Sequence, residues 1–154
     1  MSEPPHELRE ATLADLPAIV ALLVDDPLGA TRESDGADEL APYQSAYAAI
    51  EADPAHLLLV ACEGDRVVGT MQVSFIPGLS RGGMLRAQVE AVRVHRERRG
   101  DGLGEAMITW AIDEARRRGC GLVQLTTDKQ RVEAHRFYER LGFVASHEGL
   151  KLGL

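Results

Sequence analysis

The chain has 154 residues, of which 45 % are hydrophobic and 27 % charged, with a net charge of −7. That length carries one domain, expected over residues 1–154, with a core of its own and no room for a second. Two cysteines without metal or redox spacing, no apolar run of membrane-spanning length and few aromatic residues without a basic stripe argue against a metal site, a membrane span and nucleic-acid binding.

The acidic, proline-rich start Met1-Ser2-Glu3-Pro4-Pro5-His6 is not expected to be a secretory leader. Cys62 and Cys120 then read as core thiols of a cytoplasmic protein. The charge is uneven: residues 1 to 80 hold 14 acidic and 3 basic side chains, residues 81 to 154 hold 10 acidic and 14 basic. A basic second half suits a phosphate-bearing ligand and an acidic first half suits a cationic amine, beside the plain alternative of a solvated acidic surface.

Leu8 to Ala11 reads as a short strand, and Thr12 with Asp15 three residues later makes a capping-box-like start for a helix through Leu16, Ile19, Val20 and Leu23. It is expected to end near Asp25. Asp25 to Gly36 is a loop by composition, and Leu40, Tyr43, Tyr47 and Ile50 mark a second helix stopping before Pro54; substrate choice is expected in this region. Leu57 to Cys62 and Arg66 to Phe75 read as strands of a hairpin turning at Gly64-Asp65, followed by a loop over Pro77 to Gly83.

The strand over Leu85 to Val94 changes phase: Leu85, Ala87, Val89 and Ala91 are apolar at odd positions, Val92 and Val94 at even ones. A one-residue slip in period-two alternation predicts a β-bulge.

Arg99-Gly100-Asp101-Gly102-Leu103-Gly104 follows, between that strand and a helix marked by Leu103, Met107, Trp110, Ala111 and Ala115 and stopped at Gly119. Glycines let the backbone turn tightly and approach a ligand, and the free N–H groups of the helix's first turn favour an anion such as a pyrophosphate. On the glycines alone an ordinary strand-to-helix turn reads equally well. No G-x-x-x-x-G-K-[ST] is present, and Glu105 after Gly104 breaks the dinucleotide fingerprint.

Leu122 to Thr126 reads as a strand, Val132 to Leu141 as a helix capped by Gly142, and Phe143 onward as a last strand or hairpin. The order β-α-α-β-β-β-α-β-α-β is an α/β arrangement, a mixed sheet flanked by helices.

Strand, R-x-x-G-x-G, helix, strand and then Ala134-His135-Arg136-Phe137-Tyr138-Glu139-Arg140-Leu141-Gly142-Phe143 resemble the GNAT superfamily of N-acetyltransferases. The segment Thr126 to Arg131, with Ala134 to Tyr138 and Ser146-His147, is similar to the aminoalkylphosphonate N-acetyltransferase branch. The resemblance implies the acyl-coenzyme A N-acyltransferase fold with a bulged, splayed central strand, acetyl-coenzyme A as cosubstrate, and direct acetyl transfer to a small primary amine. The coenzyme is expected to meet Val92, Arg93, Val94, Arg99, Gly100, Asp101, Gly102, Leu103, Gly104, Glu105 and Arg131. Arg131 departs from the family, many of whose members carry asparagine there; an arginine can reach a phosphate instead.

Transfer requires a neutral amine, and holding a lysine-like amine neutral at pH 7 costs roughly 4 kcal/mol without help. Glu90 is the candidate base, on the even face with Gln88 and Arg86, against the alternative of a strand carboxylate paired with an arginine. Tyr138, by the resemblance, is the acid for the leaving thiolate, against a core tyrosine with its hydroxyl at the surface. The backbone N–H near Val92 can polarise the carbonyl. Arg86 or Arg93 can contact an anionic group on the amine, and His135 can touch substrate or lie at the surface. His56, His95 and His147 lack ligand spacing, and no metal is expected. A noncatalytic acyl-coenzyme A sensor is the competing function. Alternating Leu150, Leu152 and Leu154 predict a strand edge covered by a second copy, hence a homodimer, or else tucked into the chain's own sheet.

Overall fold

Apolar runs, nearly continuously buried in the central strands, build a five-stranded mixed sheet in the order β1-β2-β3-β4-β5: β1 (Glu7–Glu10), β2 (His56–Glu63), β3 (Arg66–Ile76), β4 (Arg86–Val94) and β5 (Leu122–Leu125). The structure, a computed structural model, describes residues 6–26, 28–31, 33 and 39–154. The proline-rich start at 1–5 and positions 27, 32 and 34–36 of the expected 25–36 loop lie outside the described residues.

The first four strands pair antiparallel, with Gly64-Asp65 turning the β2–β3 hairpin. From β4 to its neighbour β5 the chain crosses over through a helix, the connection a parallel pair needs. Gly121 N–H donates to the Leu85 carbonyl at 2.8 Å, and Gln124 Nε2 donates to Gln88 Oε1 at 2.7 Å.

Helices cover both faces. On one, α1 (Leu16–Val24) and α2 (Ala41–Glu51) bury Leu16, Ile19 and Tyr47 against Val60 and Cys62. On the other lies α4 (Leu103–Arg117), close enough that a Cβ at Gly69 would stand 2.9 Å from Met107 Sδ, so β3 admits only glycine there without Met107 moving. Between β3 and β4 runs α3 (Ser80–Gly83), a single turn with Arg81 and Gly82 in left-handed conformations, inside the expected loop. α4 buries Leu103, Met107, Ile108, Ala111 and Ala115, and Gly119 at φ 79° ends the run. Trp110, expected on the apolar face, is half-buried. Among the described residues no helix is long and apolar enough to cross a membrane.

The start of α1 follows the expected chemistry. The Asp15 carboxylate accepts the Thr12 N–H at 2.7 Å, across a 3-10 turn at Leu13–Asp15. Arg9 clamps the same carboxylate with two bonds of 2.7 and 3.1 Å.

Chain contacts divide the molecule into two compact units, one running to Gln124 and one from Leu125 to Leu154. The second holds α5 (Val132–Arg140), closed by Gly142 at φ 97° with Phe143 N–H donating to the Tyr138 carbonyl at 3.1 Å. The strand expected from Phe143 onward does not form. The segment turns at once, with Ser146 N–H bonded to the Val144 carbonyl at 2.9 Å, and no strand pairs with it among the described residues. Unpaired, an extended leucine run has no ladder to hold it, and Leu150, Leu152 and Leu154 are exposed.

Candidate active site

The phase slip in β4 is a bulge. Gln72 pairs with Glu90 and Thr70 with Arg93, so Ala91 and Val92 together oppose the single residue Met71. Ala91 takes the strain, at φ 51°, in a region that costs an L-residue about 1–2 kcal/mol. Strain of this kind persists only where packing imposes it, and here Gln72 and Arg93 sit in register on either side. Immediately before the bulge stands Glu90, exposed, its carboxylate without an ion-pair partner among the described residues. Among the described residues the arginine-paired alternative does not appear.

Beyond Val94 a 3-10 turn at Arg96–Arg98 leads into the glycine stretch. Gly100 and Gly102 both lie at φ 85°, and Gly102 caps α4 in a left-handed conformation. A Cβ on either would meet nothing within 4 Å, so what these positions ask of glycine is the backbone angle, with open space in front. The first bond of α4 runs from Ala106 N–H to the Gly102 carbonyl at 3.0 Å, which leaves the amides of Leu103, Gly104 and Glu105 as first-turn donors. Exposed Asp101 lies between the glycines; half-buried Val92 is within the bulge and half-buried Val94 lies two residues beyond it. Open space, first-turn amides and nearby arginines fit a pyrophosphate.

The four arginines from 93 to 99 divide sharply. Arg98 donates to Glu63 from Nε and Nη2, the latter at 2.7 Å from Oε2, and that guanidinium holds the Glu63 carboxyl below the usual carboxylate range. Arg93, Arg96 and Arg99 instead face the carboxyl end of α1. Arg93 Nη2 lies 3.7 Å from Asp26 Oδ2, Arg96 Nη2 3.5 Å from Asp25 Oδ1, and Arg99 Nη2 3.9 Å from Asp25 Oδ2. Sequence reasoning missed Arg96, Asp25 and Asp26. Two adjacent aspartates at the carboxyl end of a helix, the wrong end for its dipole, were the available signal.

In the second unit Tyr138 is half-buried, its ring edge-on to Phe137 at 5.0 Å and to Phe143 at 5.7 Å. Arg131 stands at the N-cap of α5, its carbonyl accepting the His135 N–H at 3.1 Å. His135 Nε2 is 3.3 Å from the Asp128 carbonyl, a local tie. A cleft of about 780 Å³ opens beside β1 and α2, lined by Glu10, Thr12, Gln44, Tyr47 and Glu51 among others. It contains none of the expected catalytic or coenzyme-binding residues, but its α2 lining lies in the region expected to choose the substrate, and volume alone does not make it the site.

The model of the acetyltransferase (GNAT) family matches residues 17–143. The aminoalkylphosphonate N-acetyltransferase of Salmonella typhimurium is 31 % identical over 147 residues, covering 94 % of this chain and 88 % of that one. A crystal structure from Bacillus halodurans, described as a transcriptional regulator, superposes with a TM-score of 0.95 at 48 % identity, covering 97 % of this chain and 100 % of that one. A Trypanosoma brucei acetyltransferase gives 0.76 at 29 % identity, covering 97 % and 100 %.

Proposed function

The chain belongs to the acetyltransferase (GNAT) family, whose members transfer an acyl group to an amine, and on that premise we propose that it acetylates the primary amine of a small molecule directly from acetyl-coenzyme A. The observation that carries the reading is the strained bulge at Ala91, which sets exposed Glu90 one residue before it and leads through Val94 to the arginine–glycine turn capping α4.

When bound, acetyl-coenzyme A supplies a thioester carbonyl and a thiol leaving group. Arg99, the glycine backbone and the first-turn amides of α4 hold the pyrophosphate. Glu90 takes a proton from the incoming ammonium, directly or through water, so that the amine attacks neutral. The Val92 N–H, in the bulge and outside the β3–β4 register, is assigned to donate to the carbonyl oxygen as negative charge develops there. Tyr138 is assigned as proton donor to the departing sulfur through its place in Ala134-His135-Arg136-Phe137-Tyr138, and Arg131 as a phosphate contact. No enzyme-bound acyl intermediate is invoked: burial raises both Cys62 and Cys120 thiols above their ordinary range, the opposite of an activated nucleophile.

The Salmonella relative supports an acceptor that carries an anionic group beside its amine. Arg86, half-buried and directly opposite Ile76 at the start of β4, is the arginine for that group, since Arg93 is already engaged by Asp26. The reading places one N-acetyltransferase domain over residues 1–154, acting in the cytoplasm as a homodimer.

The Bacillus halodurans relative, described as a transcriptional regulator, favours a second reading in which a bound acyl-coenzyme A is a signal and no transfer occurs. A screen of primary amines, aminoalkylphosphonates included, with detection of released thiol separates the two. Thiol release that depends on an amine supports the enzyme; saturable coenzyme A binding with no release from any amine supports the sensor.

A further inference from the structure

Asp25 and Asp26 stand where a helix disfavours carboxylates. They follow Val24 at the carboxyl end of α1, whose last turn holds no basic residue to offset them. What offsets them comes from the far side of the sequence, Arg93, Arg96 and Arg99.

The two aspartates differ in how they are held. Asp26 Oδ2 accepts the Gly29 N–H at 2.8 Å, and its side chain is only 10 % exposed. A Cβ at Gly29 would lie 1.9 Å from the Leu23 carbonyl oxygen, so this turn is packed tightly against the end of α1. Asp26 is thus part of the turn. Asp25 reaches Arg96 and Arg99 at 3.5 and 3.9 Å, beyond hydrogen-bond length, and those side chains are 71 % and 56 % exposed. Such a pair is loose and screened by water, and a second anion can displace it. Arg99 is held over the turn by the backbone as well, Nε donating to the Val94 carbonyl and Nη2 to the Asp25 carbonyl, each at 3.2 Å.

We propose that Asp25 is the counter-ion that sets cofactor affinity: its carboxylate occupies Arg96 and Arg99 in the cofactor-free protein and yields them to the pyrophosphate. The inference rests on the reading of residues 99–104 as the pyrophosphate cradle. Asp25 acts through two arginines and is a positioning residue. Its consequence runs against intuition, because removing two ion pairs strengthens binding.

Calorimetric titration of the full chain with coenzyme A tests it. Asp25→Asn is expected to tighten the dissociation constant about fivefold at low salt, with the gain shrinking at high salt as the charges are screened. Asp25→Ser, which removes the same charge, shows the same gain, and Asp25→Glu, which keeps it, stays within about twofold of the parent. Competition by pantetheine, which lacks the pyrophosphate, is unchanged by Asp25→Asn, whereas a merely structural effect moves both ligands. Arg99→Gln, measured alongside, weakens coenzyme A binding if the cradle is right. Weakened binding in Arg99→Gln with no gain in either Asp25→Asn or Asp25→Ser overturns the Asp25 inference and leaves the cradle standing. Unchanged binding in Arg99→Gln overturns both.

Discussion

Single residues carry two separable jobs in this chain. Glu90 and Tyr138 are assigned to proton movement, so Tyr138→Phe, which keeps the ring against Phe137 and Phe143, is expected to lower turnover at least about tenfold with little change in coenzyme A affinity. Glu90→Gln is expected to abolish the low-pH limb of the rate profile. Equal turnover in the first variant assigns Tyr138 to packing, and a retained limb in the second removes Glu90 as base. Asp15 has the opposite character, buried and held by Arg9 and Thr12, which keep its carboxyl below the usual carboxylate range. A depressed folded-state value means its stabilisation is present above the unfolded pKa, near ~3.9, and is lost as pH falls through the folded value. Asp15→Asn is therefore expected to lower stability by about 1–3 kcal/mol near neutral pH. Denaturant melts should show the gap between variant and parent closing in strong acid. A gap independent of pH contradicts the account.

Among the elements, β4 carries backbone strain at Ala91. Ala91 at φ 51° has the least side chain an L-residue can bring, so Ala91→Val, a substitution that β propensity favours in a regular strand, is expected to destabilise by about 1–2 kcal/mol. A thermal melt checks it, and a stabilised variant contradicts the bulge. That bulge was legible because alternation records which face each residue takes, and the slip between Ala91 and Val92 is a slip in face. The ends of α1 and α2 were legible for the same local reason: Thr12 and Asp15 three apart, Pro54 after Glu51. What pattern could not carry is pairing across long separations. Arg98 and Arg99 look alike in sequence, yet Glu63 takes the first and Asp25 faces the second. The last strand failed for a related reason, since Leu150, Leu152 and Leu154 alternate as a strand does but a strand also needs a neighbour. Along α4, Ile108 took the buried position beside Met107 while Trp110, on the same apolar pattern, stayed half-exposed.

For the whole molecule, Val144, Leu150, Leu152 and Leu154 are exposed apolar side chains that water disfavours, and the proposed homodimer would cover them even though no strand edge forms there. Sedimentation equilibrium at micromolar concentration is expected to give a dimer, and Leu150→Lys with Leu152→Lys a monomer that keeps its fold. A parent that is monomeric at every concentration, with and without acetyl-coenzyme A, contradicts the homodimer. The two halves of the charge distribution meet here, Arg93, Arg96 and Arg99 of the basic second half facing Asp25 and Asp26 of the acidic first half. The central claim remains transfer itself. With the best amine of the screen, released thiol and N-acetylated product measured in the same reaction are predicted to appear in equal amounts and to fall together in Glu90→Gln; tight coenzyme A binding with neither thiol nor acetylated amine formed would contradict it.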